Sequence, residues 1–290
     1  MDKFLQLTLT GLTNGAIFSL VALGFVLIYK ASDVINFAQG DFLLVGAYVT
    51  FGLVAQVGIP WPLGVLLTMV IAVILGLAVE RFVLRPLIGE PIISVIMVTI
   101  GLASLLQAMV NGIWGTTGRP FPGFIPDQTL RIGSAVIPAD RLVAIALAAI
   151  LLIIFTLFFR YSRHGIAMRA TADDQQAALS MGISVKSVFA LAWSIAAVTA
   201  ALAGVLVANI VGVSGVVSSI GLRVFPVVIL GGLDSVPGAI VGGVVIGLLE
   251  AYTGGYVGGG LQQVIPFIVL ILILMVKPYG LFGEERIERV

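Results

Sequence analysis

The sequence has no cysteine, only one histidine and few charged side chains. Without cysteine, disulfide frameworks and thiolate metal sites are excluded. Charged residues make up 10% of the 290 residues, whereas about a quarter of an ordinary soluble domain is charged. Apolar residues reach 60%, which is more apolar surface than a soluble core of this length buries. The composition indicates an integral membrane protein, and no basic run suggests nucleic acid as a partner.

Apolar runs follow one another along the whole chain, and most approach the ~20 residues that a helix needs to cross hydrocarbon. Glycine is abundant, at 35 residues, and close helix–helix contact in lipid favours such small residues. We expect an all-α, polytopic transmembrane helical bundle that forms one domain over residues 1–290. It should contain about seven full spans plus a re-entrant or hairpin segment near residues 222–252. The runs are Phe4–Tyr29, Val34–Val57, Trp61–Val79, Ile92–Val110, Leu142–Phe159, Val188–Val211, Leu222–Tyr252 and Val264–Val276.

Lys and Arg predict the orientation of the chain, because they concentrate in cytoplasmic loops. The loop 163–184 and its flanks are basic, which places this loop in the cytoplasm and the N-terminus and the loop 112–141 outside. If the run 222–252 enters and returns, the tail 277–290 is cytoplasmic and ten of the 15 Lys and Arg lie inside. A single crossing would leave seven inside. The sequence GGLDSVPG over 231–238 is a poor helix interior and favours the break.

A second polar interruption, INFAQGD over 35–41, lies in the first half of the chain. Many transporters build their path near the midplane from two broken hydrophobic segments, one in each half. Broken helices free backbone groups and direct half-helix ends at a passing solute. The residues predicted on this basis to line the path are Asn14, Asn36, Gln39, Asp41, Gly231, Gly232 and Asp234.

Two explanations remain open for Asp41 and Asp234. A carboxylate deep in hydrocarbon costs ~3 kcal/mol or more, so each could line the path or a gate. Alternatively, each lies near the interface and caps the helix that follows its break. A proton relay is a third explanation, which we disfavour because no Lys, Arg or His stands mid-span as a partner.

The loop 163–184 predicts a short, exposed helix of about three turns. Thr171 and Asp174 have the spacing of a capping pattern, the Ala and Gln run is helix-prone, and Gly182 is placed to end the helix. Small and apolar residues on an exposed helix suit docking into a groove of another protein. The alternative is a helix that lies on the membrane surface, but this segment is acidic and lacks Trp and Phe anchors.

Enzyme motifs are missing from the sequence. It has no GxxxxGK[ST] phosphate loop, no HExxH motif and no plausible Ser/His/Asp set, so we predict no catalytic residue and no metal site. If ATP drives transport, another chain must hydrolyse it, and this chain itself should bind no cofactor.

Five stretches resemble the LivH-type permeases of branched-chain amino-acid ABC importers. The resemblance extends over nearly the whole chain, and the external loop 112–141 is the region that matches least. The stretches are 11–24, 34–48, 169–183 (RATADD through MGI), 230–239 (LGGLDSVPGA) and 277–283 (KPYGLFG).

The resemblance implies an assembly in the bacterial-type inner (plasma) membrane. It implies a second permease chain, related or identical, two ATPase subunits that hold ATP and Mg, an external substrate-binding protein and surrounding membrane lipids. The implied cargo is leucine, isoleucine and valine, although related permeases carry urea, short amides or other amino acids. A stand-alone secondary transporter or channel is an alternative of another class. By the same resemblance the helix at Ala170–Gly182 is the coupling helix. It would contact an ATPase through Ala170, Thr171, Asp173, Asp174, Leu179, Gly182 and Ile183.

Overall fold

The computed structural model describes residues 2–87, 90–123, 129–132 and 135–283. The end of the predicted cytoplasmic tail, with Arg286 and Arg289, and parts of the predicted loop 112–141 lie outside these residues. The helices are α1 Asp2–Ser32, α2 Gln39–Phe51, α3 Trp61–Ala78, α4 Ile92–Trp114, α5 Ala139–Tyr161, α6 Arg163–Asp173, α7 Gln175–Ser180, α8 Val185–Val211, α9 Val216–Gly231, α10 Val236–Tyr256, α11 Gly259–Gln262 and α12 Ile265–Val276. Short π-helical stretches extend α2 through Gly52–Gln56 and α3 through Val79–Leu84.

Six helices within the described ranges are long and apolar enough to cross a membrane: α1, α3 with its extension, α4, α5, α8 and α10. The predicted all-α membrane bundle is therefore confirmed. Helices α9 and α12 are apolar but shorter. Helix α2 is also short, because the run predicted as a full span over Val34–Val57 becomes helical only at Gln39.

The bundle has a buried centre and an apolar outer surface. The most apolar windows of α1 and α8 are 83% and 72% buried, whereas those of α3, α4 and α5 are only 22–28% buried. The outer helices expose Leu, Ile and Met side chains, as expected where lipid replaces water. Helix α2 packs between α8, α9 and α4, inside this outer layer.

Helices α1 and α10 cross through four glycines. A Cβ at Gly15 would lie 2.8 Å from the carbonyl oxygen of Gly243, and a Cβ at Gly11 would lie 3.0 Å from that of Gly247. The two GxxxG spacings of the sequence therefore face each other across one interface. Such close backbone approach is the usual basis of helix association in lipid.

The segment near 222–252 forms a helical hairpin, which is one of the two forms predicted for it. Helix α9 begins earlier than predicted, at Val216, and ends at Gly231; α10 begins at Val236. Gly232 breaks the chain with φ of +107°, a conformation that glycine adopts without a Cβ penalty. The tail packs on the break, because the amides of Leu281 and Phe282 donate to the carbonyls of Leu230 and Gly231.

The connection between α4 and α5 is more structured than the sequence predicted. Helix α4 continues to Trp114 and α5 starts at Ala139, so the connection is shorter than 112–141. Within it, β1 Thr129–Ile132 pairs antiparallel with β2 Ala135–Pro138. An isolated antiparallel bridge joins Arg119 to Val213, which ties this connection to the α8–α9 turn. The alternation of apolar and polar residues in these short stretches is too weak to predict the strands.

Candidate functional site

Helix α2 starts inside the bundle. Its first turn faces the first two turns of α9, where the backbone carbonyl of Ser218 is so close to Gly40 that a Cβ could not fit. Close packing also joins Gly40 to Gly221. The chain at 34–36 is non-helical and leads from the end of α1 to this buried start. A half-helix that begins within the protein is the arrangement expected around a transport path.

Asn36 and Gln39 hold the start of α2 in place. The amide of Asn36 donates to Gln39 Oε1 over 3.2 Å, and the backbone N–H of Ala38 donates to Asn36 Oδ1 over 3.0 Å. Gln39 Nε2 donates to the carbonyl oxygen of Ala196 in α8 over 3.3 Å. Both side chains are fully buried. Their hydrogen bonds therefore stabilise the non-helical break before α2. Side chains that line an open path would be exposed, and in this structure these two are not.

We expect Asn36→Ala to lower the free energy of unfolding by about 2 kcal/mol or more, because the Ala38 N–H and Gln39 Oε1 both lose their partner in a buried site. Thermal unfolding of the detergent-purified protein measures the effect. Asn111→Ala, at a half-buried position of α4, is the matched control and should change stability little. Equal stability of the two variants would contradict a structural role for Asn36.

Asp41 lies in the first turn of α2 and is 8% exposed. The N-cap residue of this helix is Ala38, whose side chain cannot cap, so Asp41 is not the cap. A carboxylate in the first turn is favoured by the positive end of the helix dipole. The position is deep in the bundle, and this agrees better with the path explanation than with an interfacial one.

Two charged side chains that the sequence reasoning missed lie inside the hairpin. The statement that no Lys, Arg or His stands mid-span is wrong, because Arg223 lies in the interior of α9. The predicted run Leu222–Tyr252 places Arg223 at its edge, whereas α9 begins at Val216 and encloses it. Its positive charge acts on Glu250 of α10, which is 2% exposed and whose Oε1 has no hydrogen-bond partner among the described residues.

Glu250 is not the only described residue with a buried oxygen that lacks a hydrogen-bond partner. Asn209 Oδ1, near the end of α8, is likewise buried without a partner among the described residues. An unsatisfied buried acceptor costs about 1–3 kcal/mol, so such groups are retained where they serve a function. An ionisable residue within an apolar run was the available signal for Glu250 and Arg223.

The structure places the other predicted path residues at turns and at helix contacts, and their role in the path stays a prediction. Gly231 approaches Gly238 so closely that neither can carry a side chain, and Gly232 contacts the tail at Gly283. Asp234 does not cap α10; Ser235 does, since its hydroxyl accepts from the Gly238 N–H over 3.1 Å. Asn14 is half-buried on α1, beside the α1–α10 crossing.

The predicted three-turn helix of the loop 163–184 is in fact two helices. Thr171 is not a cap: it is fully buried within α6 and its hydroxyl donates to the carbonyl of Ala167. Asp174 interrupts the helix and caps α7, because its Oδ1 accepts from the N–H groups of Gln176 and Ala177 over 2.8 and 2.9 Å. The Asp174 N–H in turn donates to the carbonyl of Ala170.

Helix α6 is fixed to the end of α5. Ser162 caps α6, and its hydroxyl accepts from the N–H of Gly165 over 2.9 Å. The Arg169 guanidinium donates to the last-turn carbonyls of Phe159 and Arg160. Met168 is buried in the main core. Motion of α6 would therefore be transmitted directly to α5.

Helix α7 forms an exposed tip beyond α6. Gly182 ends it as predicted, with φ of +81°, and the Ile183 N–H donates back to the carbonyl of Ala178. Leu179 is 57% exposed and Met181 is 83% exposed. Asp173 is exposed beside them. A rigid support with an apolar exposed tip is well suited to a protein partner.

The family model described as "Branched-chain amino acid transport system / permease component" matches residues 7–274, which includes α2, the α6–α7 segment and the hairpin. This chain belongs to that family. The permease is therefore a multi-pass membrane protein that works as the permease component of a transport system.

Curated relatives cover the permease almost completely. It is 33% identical to "High-affinity branched-chain amino acid transport system permease protein LivH" of Escherichia coli K12, over 99% of this chain and 98% of the relative. BraD of Pseudomonas aeruginosa, with the corresponding name, is 31% identical over 99% and 98%. A probable LivH of Methanocaldococcus jannaschii is 30% identical over 92% and 88%.

A solved structure shares the fold of the permease. It is a chain of PsaBC from Streptococcus pneumoniae in complex with Fab, with a TM-score of 0.52 and 14% sequence identity. The match covers 95% of this chain and 92% of that chain. The arrangement of the bundle is thus found in a protein of very different sequence.

Proposed function

We propose that this permease is the transmembrane subunit of an ATP-driven importer that carries leucine, isoleucine and valine across the inner membrane. The observation that carries the proposal is the identity of about a third to relatives named for branched-chain amino-acid transport, over nearly the full length of both chains. The buried, broken start of α2 and the exposed tip of α7 agree with this role, because one suits a path and the other a partner.

The proposed assembly contains a second permease chain, related or identical, two ATPase subunits and an external substrate-binding protein. ATP and Mg would be held by the ATPases. The α6–α7 segment faces the cytoplasm in this proposal, with the N-terminus outside and the C-terminus inside. This agrees with the position of Arg160, Arg163 and Arg169 around α6 and with the positive-inside rule.

Within the bundle, Asp41 and Glu250 are the polar groups that we propose for the path. Glu250 joins the residues predicted from sequence because its carboxylate has an unpartnered oxygen and lies under the influence of Arg223. The aliphatic side chain of the cargo would contact the small and apolar residues around them. Residues behind this layer would stabilise the backbone around the path; they are Asn36, Gln39, Gly231 and Gly232.

We expect radiolabelled leucine to enter proteoliposomes only when ATP and a binding protein are both present. The vesicles contain this chain, its co-purifying subunits and a candidate binding protein, and a non-hydrolysable ATP analogue serves as control. Urea is tested in parallel. Uptake of urea but not of leucine would contradict the proposed cargo and would leave the proposed ATP-driven assembly in place.

The same vesicles test the alternative of a stand-alone secondary transporter. Arg223 and Glu250 supply the intramembrane ionisable groups that such a mechanism would need. Leucine uptake driven by a proton gradient without ATP, and lost in Glu250→Gln, would contradict the ATP-driven importer. ATP-dependent uptake that ignores the proton gradient would exclude the alternative.

A further inference from the structure

A cavity of about 390 Å³ lies at the end of the bundle that carries α6. The last turns of α1 and α5, helix α6, the start of α10 and the tail at Phe282 surround it. It is separate from the buried start of α2 and from the exposed tip of α7. Since helix ends surround it, the cavity lies at the level where the hydrocarbon gives way to the polar headgroups.

Positive charge dominates the wall of the cavity. Lys30, Arg160 and Arg169 line it, and Asp234 is the acidic residue among the lining residues. The Lys30 ammonium donates to the backbone carbonyl of Asp234 over 3.3 Å. Arg169 is held by the α5 carbonyls. These bonds fix the two side chains and leave several of their N–H donors available, since Lys has three and Arg has five.

Apart from the hydroxyls of Thr156 and Ser235, the rest of the wall is apolar, and it is continuous with the lipid-facing surface. Leu27, Phe159 and Val236 form part of this wall. On α5, the exposed Ile153 and Leu157 lie one turn before Thr156 and Arg160, which line the cavity. A ligand with one anionic end and one apolar end could therefore enter from the bilayer without crossing the protein.

We propose that this cavity binds the phosphate headgroup of an anionic phospholipid, with Lys30, Arg160 and Arg169 around the phosphate and the apolar wall along the first carbons of the acyl chains. Basic pockets between transmembrane helices at the cytoplasmic side are the usual form of such sites. A free phosphate ester shares the anionic chemistry but would gain nothing from the apolar wall. The bound lipid would join the α5–α6 corner to α1 and α10.

The position of the cavity gives the lipid a role beyond anchoring. Arg169 belongs to α6, and the proposed coupling to the ATPases passes through that helix. A lipid that contacts α6, α1 and the hairpin at once would stabilise one arrangement of these elements. The lipid site itself requires only that the chain spans a membrane, so its test is independent of the cargo and of ATP.

The test is native mass spectrometry of the full-length chain, purified in mild detergent with any co-purifying subunits and titrated with phosphatidylglycerol or phosphatidylcholine. The variant is Lys30→Gln with Arg160→Gln. Arg169 is left intact because it holds α6. The matched control is Arg163→Gln with Lys186→Gln, because Arg163 of α6 and Lys186 of α8 are exposed cations that do not line the cavity. Thermal unfolding verifies that both double variants are folded.

We expect wild type and control to retain one phosphatidylglycerol in preference to phosphatidylcholine. The cavity variant should bind phosphatidylglycerol about 25-fold more weakly, because each of the two lost cations contributes about fivefold in affinity. Equal retention of phosphatidylglycerol by the cavity variant and by wild type would overturn the proposal. A competition with glycerol 3-phosphate tests whether a soluble phosphate ester is the ligand instead of a lipid. If this ester bound as tightly as phosphatidylglycerol, the proposal of a lipid site would also be overturned.

Discussion

Replacing Gly247 by valine should prevent α1 and α10 from packing and should remove most of the folded permease. A Cβ at Gly247 would lie 2.5 Å from the carbonyl oxygen of Gly11, and the amide nitrogen of Gly15 is closer still. Overpacking usually costs about 1–3 kcal/mol when side chains can move aside. Here the neighbours are backbone atoms, which cannot move aside. We therefore expect the free energy of unfolding to fall by an amount at or above the upper end of that range.

The matched control for this variant is Gly101→Val in α4. A Cβ at Gly101 would meet nothing within 4 Å, and the position is exposed on the outer surface. Thermal unfolding and the yield of monodisperse protein after detergent extraction measure both variants. If Gly247→Val were as stable as Gly101→Val, the α1–α10 crossing would not be the rigid contact described above.

Placing aspartate at both Leu179 and Met181 should reduce ATP-driven leucine uptake at least tenfold while the permease stays folded. Both side chains are exposed, so the fold loses little when they become polar. Truncation of a central residue in a protein interface costs about 2 kcal/mol or more, and a buried aspartate costs further desolvation. The α7 tip would then bind its proposed ATPase weakly.

Leu261→Asp is the control for the α7 variant, because Leu261 is also an exposed apolar residue but belongs to α11. Uptake into proteoliposomes and co-purification of the ATPase are measured together. We expect the control to retain both. Unchanged uptake in the Leu179→Asp, Met181→Asp variant would remove the basis for assigning α7 to coupling.

Periodicity and charge predicted the elements of the fold that depend on nearby residues. Long apolar runs have few alternatives to helix in lipid, because the backbone must satisfy its own hydrogen bonds there. The same argument predicted the hairpin, since Gly231 and Gly232 interrupt an apolar run. Gly182 was placed correctly as a helix end for a similar local reason, its freedom to adopt a positive φ.

Predictions that needed the depth or the partner of a side chain were less successful. Thr171 and Asp174 had the spacing of one capping pattern, but burial of Thr171 in the core made α6 continue to Asp173. Arg223 lies at the edge of the predicted run 222–252 and yet in the interior of α9, because the true start of α9 at Val216 has no strong local signal. The role of Glu250 in transport stays a prediction that the uptake experiments test, and the role of Asp41 also stays a prediction.

The sequence by itself determined that this protein is a multi-pass helical membrane protein with a broken segment in each half. Composition and local hydrogen-bonding needs suffice for that result. Only the tertiary structure decided that α2 starts inside the bundle, that the two GxxxG spacings meet, and that Lys30, Arg160 and Arg169 share one cavity. These features join residues far apart in the chain, and their geometry is fixed by packing that no local pattern encodes.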